Sequence, residues 1–174
     1  MDTTNTNIST TIEPVSSGSD LESLIGETGA EGANDLPLCN SWDDFDIKPN
    51  LLRGIYAIGF EKPSPIQQKA IIPIISKRDI IAQAQSGTGK TATFSIGTLQ
   101  IIDTSEPTIQ AILMAPTHEL ARQSAFVIGT IGSMMKDLVV QTLVGGTSVY
   151  EDANLLKNNT TYCSGNPRTH IRYD

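Results

Sequence analysis

The residues Ala84-Gln85-Ser86-Gly87-Thr88-Gly89-Lys90-Thr91 have the types and order needed to hold a polyphosphate. They fit the pattern Gly-x-x-x-x-Gly-Lys-Ser/Thr, with Ala84 where the strict form has glycine. Gly87 and Gly89 let the backbone curl, so that successive N–H groups point at phosphate oxygens. Lys90 brings a point charge to the terminal phosphates, and the Thr91 hydroxyl can ligate a Mg²⁺ ion that bridges them. A helix opening here adds the positive end of its dipole. The alternative is a Gly-rich turn between strand and helix, with an exposed lysine.

Two elements must position this loop. Asp79 to Ala84 reads as a short buried strand, and Thr91 to Asp103 as a helix. Upstream, Asn50 to Ile58 carries Leu51, Leu52, Ile55 and Ile58 at helical spacing, and Gly59 ends it. Ser64-Pro65-Ile66-Gln67 reads as a helix start, with Ser as N-cap, Pro at the first helical position and Gln at the third. That helix is expected to turn Ile66, Ala70 and Ile74 to a core, with a kink at Pro73. Downstream, Ile109 to Ala115 reads as a second strand. Glu119 to Met135 reads as a helix with Leu120, Val127, Ile128, Ile131 and Met135 on one face. Leu138 to Val144 reads as a third strand, closed by Gly145-Gly146. Strands alternating with helices predict an α/β fold: a parallel sheet with helices on both faces.

The chain has 174 residues and a net charge of −7. Met1 to Ile47 holds ten Asp and Glu and no Lys or Arg, so the remainder is mildly basic at +3. This balance disfavours a strongly basic nucleic-acid binder but permits a modest phosphate-contacting surface. Residues 1–40 are rich in Thr, Ser, Asn, Gly and acids, and are expected to form a disordered tail. Cys39 and Cys163 are too few for a disulfide scaffold or a four-ligand zinc site. No apolar run approaches the length of a membrane span, and no secretory signal is visible, so a soluble intracellular protein is expected.

The phosphate loop together with Gly59-Phe60-Glu61-Lys62-Pro63-Ser64-Pro65-Ile66-Gln67 resembles the DEAD-box RNA helicases. The segment 59–67 is similar to that family's Q motif, and the resemblance covers roughly Trp42 to Lys157. It implies a RecA-like lobe over residues 41–159 that binds ATP and Mg²⁺. It implies that Gln67 reads adenine, whose N7 acceptor and N6 donor match a side-chain amide. From spacing alone, Gln67 serves a helix cap equally well. The resemblance also places Phe60 on the base face and aligns Trp42 with an upstream aromatic; by themselves Phe60 reads as core and Trp42 as uninformative.

Pro116-Thr117-His118-Glu119-Leu120-Ala121 resembles the family's motif Ia, Pro-Thr-Arg-Glu-Leu-Ala, with His118 replacing Arg. A neutral imidazole lacks the permanent charge and fork geometry that suit phosphate. Gly145-Gly146 matches the family's double glycine; without the resemblance it is a strand-ending turn. These residues are implied to contact single-stranded or structured RNA through its backbone. Within the family, the segment from Leu51 is most similar to the members serving translation initiation. A scaffold factor of that process is an implied partner, with a cytoplasmic location, or a nuclear one for an exon-junction-like member.

No apolar strand ends in Asp-Glu-Ala-Asp or a comparable acid pair, and the Ser-Ala-Thr motif and a second lobe are not found. This reads as the front of a helicase that lacks its catalytic acids, with apolar sheet edges exposed. After Lys157-Asn158-Asn159 the family continues with Pro-His-Ile-Val-Val-Gly-Thr-Pro-Gly-Arg, whereas residues 160–174 differ. Back-translated and read one nucleotide later, permitted codons for that tail give Pro-His-Ile-Val-Val-Gly-Thr-Pro-Gly-Arg-Ile-Tyr-Asp-Met. A frameshift close upstream of Thr160 is therefore expected, leaving Cys163, Arg168 and His170 without an evolved role. The competing readings are a non-catalytic nucleotide-binding or decoy fragment, and an unrelated phosphate-loop ATPase that would accept GTP as readily as ATP.

Overall fold

The computed structural model describes residues 39–146, 148–157 and 162–165. The expected tail up to residue 38, and the chain after residue 165, lie outside the described residues. A 3-10 turn at Trp42–Phe45 is followed by α1 (Pro49–Ala57), α2 (Pro65–Ile75), α3 (Lys90–Ile101), β1 (Ala111–Met114), α4 (His118–Ile131), β2 (Val140–Leu143), α5 (Val149–Lys157) and β3 (Tyr162–Gly165). The three strands form one parallel sheet in the order β1-β3-β2. The first chain crossovers run through α4 and α5, as parallel pairing requires.

The core forms where α3 is enclosed. Ala92, Thr93, Ser95, Ile96, Gly97 and Leu99 are buried, so α3 is covered on more than one face. It packs between α2 and α4, and α4 in turn lies on β2 and β3. Trp42, Leu51, Ile55, Ile71, Ile96, Leu99, Ile128 and Ile131 are fully buried in one cluster. Each such side chain contributes about 1.5–3 kcal/mol of transfer free energy. Gly97 lets α2 close on α3: a Cβ there would stand 2.6 Å from Ile74 Cγ2.

Lys48 ties α1 to the end of α3. Its ammonium donates to the Ile102 carbonyl at 2.6 Å, and its backbone N–H donates to Gln100 Oε1 at 2.9 Å. A cation suits the negative end of α3. Burial lowers the Lys48 pKa, opposed by the nearby Asp103 carboxylate. Asp103 is itself held low, chiefly by hydrogen bonds from the Ser105 hydroxyl and N–H.

Several expectations shift. Asp79 to Ala84 does not form a strand, and Ile81 is 100% exposed. A buried parallel strand needs a hydrogen-bonded neighbour, and none of β1, β2 and β3 pairs with this segment. At β1 the Ala111 and Leu113 face packs on the core, while Ile112 (71%) and Met114 (65%) are exposed. One face of β1 is thus apolar and open. On α2 the buried face is Gln67, Ala70 and Ile71, with Ile66 and Ile74 only half-buried. The helix passes through Pro73 and ends at Ile75. On α4, Leu120 is exposed and the buried line is Ala121, Ser124, Ala125, Ile128 and Ile131. No helix among the described residues is long and apolar enough to cross a membrane.

Candidate functional site

The phosphate loop leads into α3 through Gly89, the helix N-cap, at φ +94°. Gly87 likewise has φ +82°, a left-handed conformation that an L side chain would strain. A glycine cap has no side chain to accept from the first-turn N–H groups, and none is capped. First-turn N–H groups without a side-chain cap, together with the helix dipole, are the chemistry of an anion site. The Thr88 hydroxyl donates to the Gln85 carbonyl at 2.7 Å and tightens the turn. The Lys90 ammonium lies across the loop, donating to the Ala84 carbonyl and, at 2.7 Å, to the Gln85 carbonyl. An ammonium has three N–H bonds, so one donor remains for a phosphate oxygen. Ser86 is exposed at the loop tip, and Thr91 sits half-buried in the first turn of α3.

The segment at 59–67 docks on this loop. The Ser64 N–H donates to Gln67 Oε1 at 2.7 Å, one half of a capping box. The Ser64 hydroxyl donates to the Thr88 carbonyl at 2.9 Å, across 24 residues of sequence. Gln67 is only 4% exposed. A Cβ on Gly89 would stand 2.9 Å from Gln67 Nε2 and 3.4 Å from Ser64 Oγ. The Gln67 oxygen caps α2, while its amide nitrogen lies against the phosphate loop. A carbonyl oxygen can accept a second bond. Ser64 is a residue that the sequence reading took only as a cap. Its link to the loop had no local signal, because the partner is a distant backbone carbonyl.

Phe60 is half-buried against the core, just after Gly59 at φ +86°. Trp42 does not reach a ligand surface. It is 0% exposed, its ring is 5.7 Å from that of Phe45, and its indole N–H donates to the Phe60 carbonyl at 2.8 Å. Trp42 therefore bears on the segment by fixing the backbone of Phe60.

A second group gathers at the carboxyl ends of the strands, the usual ligand crevice of parallel sheets. Ala115 N–H donates to the Gly165 carbonyl at 2.9 Å, joining the ends of β1 and β3. Pro116 is exposed, and Thr117 caps α4, accepting from Leu120 N–H at 3.2 Å. His118 is the first helical residue and exposed. Its ring atoms Cε1 and Nε2 lie 3.2 Å from where a Cβ on Gly145 would stand. Gly146 follows at φ +99° with open space around it. The fold thus brings Thr117, His118, Gly145 and Gly146 together.

For Mg²⁺, the described residues hold no group of three His, Cys, Asp or Glu side chains suited to a metal. Thr91 fits as a single oxygen ligand at the mouth of the loop. Mg²⁺ suits such a place, since it takes most of its ligands from water and phosphates.

The DEAD/DEAH box helicase family matches residues 64–172. That stretch is more than half of the chain, and the chain belongs to this family. Among curated relatives it is 53% identical over 130 residues to the ATP-dependent RNA helicase eIF4A of Aspergillus clavatus, covering 75% of this chain and 32% of that protein. It is 53% identical over 128 residues to eukaryotic initiation factor 4A of Drosophila melanogaster, covering 74% and 32%. The chain spans about a third of the length of these relatives. Among solved structures, a DEAD box protein from Methanococcus jannaschii superposes with a TM-score of 0.70 at 32% identity, over 75% of this chain and 36% of that one. Dbp5 of S. cerevisiae bound to RNA and ADP BeF3 gives 0.66 at 38% identity, over 75% and 33%. The fold is thus that of a RecA-like helicase lobe, represented in part.

Proposed function

We propose that this chain is the nucleotide-gripping front of an ATP-dependent RNA helicase of the initiation-factor-4A kind. One observation carries the reading: the Ser64 hydroxyl and the Gln67 amide both abut the phosphate loop at Thr88 and Gly89. A polyphosphate on the loop would have its base beside an amide that can match adenine. Phe60, fixed by Trp42, supplies an apolar wall. Lys90 and the first-turn N–H groups of α3 hold the phosphates, and Mg²⁺, when bound, neutralises charge on them beside Thr91. RNA lies along Pro116, Thr117, His118, Gly145 and Gly146, gripped by its backbone. In the whole protein this serves messenger RNA opening at translation initiation, with a scaffold factor as partner, in the cytoplasm. No apolar strand in the sequence ends in Asp-Glu-Ala-Asp or a comparable acid pair to orient a water. The 174-residue polypeptide is expected to bind ATP without turning it over, which is the non-catalytic reading.

Gln67→Ala tests the assignment. The wild-type chain should prefer ATP over GTP by at least about tenfold, and the variant should bind both about equally. Competition against a fluorescent ATP analogue reads the ratio. A preference that survives the substitution removes Gln67 from base recognition.

For residues 160–174 we infer a shifted reading frame. The shifted frame reads Val at position 164. The structure buries Ser164 completely, its hydroxyl donating to the Ala121 carbonyl of α4 at 2.9 Å. A small polar side chain thus fills this fully buried position, while β3 itself is held by backbone pairing that any residue can make. The family match itself continues to residue 172 in the frame as given. Ser164→Val should raise stability by about 1 kcal/mol in urea denaturation, because Ala121 keeps its helical bond and two methyl groups are buried. A loss of stability, or gene and transcript codons incompatible with the shifted reading, would count against the inference.

A further inference from the structure

We propose that two copies of this chain pair by exchanging strands: the segment Asp79 to Ala84 of each copy adds, in parallel, to the outer edge of β1 of the other. This pairing concerns the sheet and does not depend on nucleotide or RNA binding.

Each copy carries both halves of the contact. In the strand order β1-β3-β2, β1 stands at an edge. Alternate N–H and C=O groups of an edge strand point away from its neighbour and template a further strand. Proteins ordinarily guard such an edge with a charge, a proline or a bulge. Ile109-Gln110-Ala111-Ile112-Leu113-Met114 has no charge and no proline, and β1 pairs with β3 residue for residue. Ile112 and Met114 also leave one face of this edge apolar and open. β2, at the other edge, is more polar, with Gln141 and Thr142, and mostly half-buried. The second half is Asp79 to Ala84. Ile80 and Ile81 suit a strand. Yet Asp79 to Gln83 is exposed throughout and makes no backbone hydrogen bond among the described residues.

Charge sets the direction. Lys77 and Arg78, both exposed, lead into the segment. Asp103 and Glu106, also exposed, gather at the start of β1. Gln110 holds them there: its amide nitrogen donates to the Asp103 and Glu106 carbonyls, and its oxygen accepts from the Asp103 N–H. Parallel addition brings the two cations beside the two carboxylates. Antiparallel addition would carry them to the opposite end of β1. A two-fold axis then satisfies both free elements of both copies and closes the assembly. Asp79–Ala84 and Ile109–Met114 give twelve residues a copy, about half of the 20–30 residues a side of a standard interface. The pair is therefore weak, with a dissociation constant of about 10–100 µM.

Sedimentation velocity of the full chain over about 2–200 µM is the test. The wild type should pass from monomer to dimer across that range. Ile81→Lys and Ile112→Lys change exposed side chains. Each should keep the wild-type circular dichroism spectrum and stay monomeric throughout. Arg78→Glu and Glu106→Arg should each weaken the pairing by about fivefold, and the double variant should recover it to within about twofold. A wild type that stays monomeric at the highest concentration overturns the proposal. Association that persists in Ile81→Lys also overturns it, because the edges of β1 would then meet without the segment. Growth beyond a dimer overturns the reciprocal exchange, and a double charge reversal that recovers nothing overturns the parallel pairing.

Discussion

Gly54→Ala should unfold the chain or come close to it. Gly54 lies inside α1 where that helix crosses α4. A Cβ there would stand 1.9 Å from the Ile131 carbonyl oxygen and 3.0 Å from its carbon. Both are backbone atoms of a helix end, so no side chain can swing aside. The helices must separate, and the seam that opens contains Leu51, Ile55, Ile128 and Ile131. The expected cost is at least about 3 kcal/mol, a large part of an ordinary domain's stability. Gly129→Ala is the matched control. It also lies inside a helix, α4, but its Cβ would meet nothing within 4 Å. There the better helix propensity of alanine should stabilise by up to about 1 kcal/mol. Urea denaturation of the two variants should move the midpoint in opposite directions. Equal shifts would mean that α1 and α4 do not cross at Gly54.

Lys90→Ala should weaken ATP binding by about ten- to a hundredfold. The side chain spans the loop from the Ala84 and Gln85 carbonyls and keeps one donor free. Removing it takes away the point charge on the terminal phosphates and the tie that holds the loop closed. A charge-assisted hydrogen bond contributes about 1.5–3 kcal/mol, and each 1.4 kcal/mol is about tenfold in affinity. The fold should hardly respond, since the ammonium sits at a half-exposed loop outside the core cluster. Calorimetric titration with ATP and thermal unfolding of the same sample separate the two effects. Unchanged ATP affinity would remove the loop from the account.

What could be read in advance was set by local spacing. The glycines at 87 and 89, and the Ser-Pro-x-Gln start of α2, act through backbone freedom and a cap within one turn. Both are present as expected. The parallel pairing also followed from strands alternating with helices. What could not be read depends on distant partners. Asp79 to Ala84 has a strand's composition, but a strand exists only beside another, and here no described strand pairs with it. The buried face of α2 was misplaced: Ile66 and Ile74 were expected in the core, and Gln67, read as a cap or a base contact, is buried instead with Ala70 and Ile71. In the structure the Gln67 amide is enclosed between Ser64 and the loop. The indole of Trp42 on the Phe60 carbonyl, the Ser64 hydroxyl on Thr88 and the His118 ring on Gly145 join segments that only the fold brings together.

The central claim is that the segment at 59–67 and the phosphate loop form one adenine-nucleotide site. The most direct measurement is calorimetric titration of the wild-type chain with ATP and with GTP, each with Mg²⁺. The account predicts saturable one-to-one binding of ATP and at least about tenfold weaker binding of GTP. Equal affinity for the two would separate the loop from the base-reading segment and point to a general phosphate-loop protein. No binding of either would contradict the site as a whole.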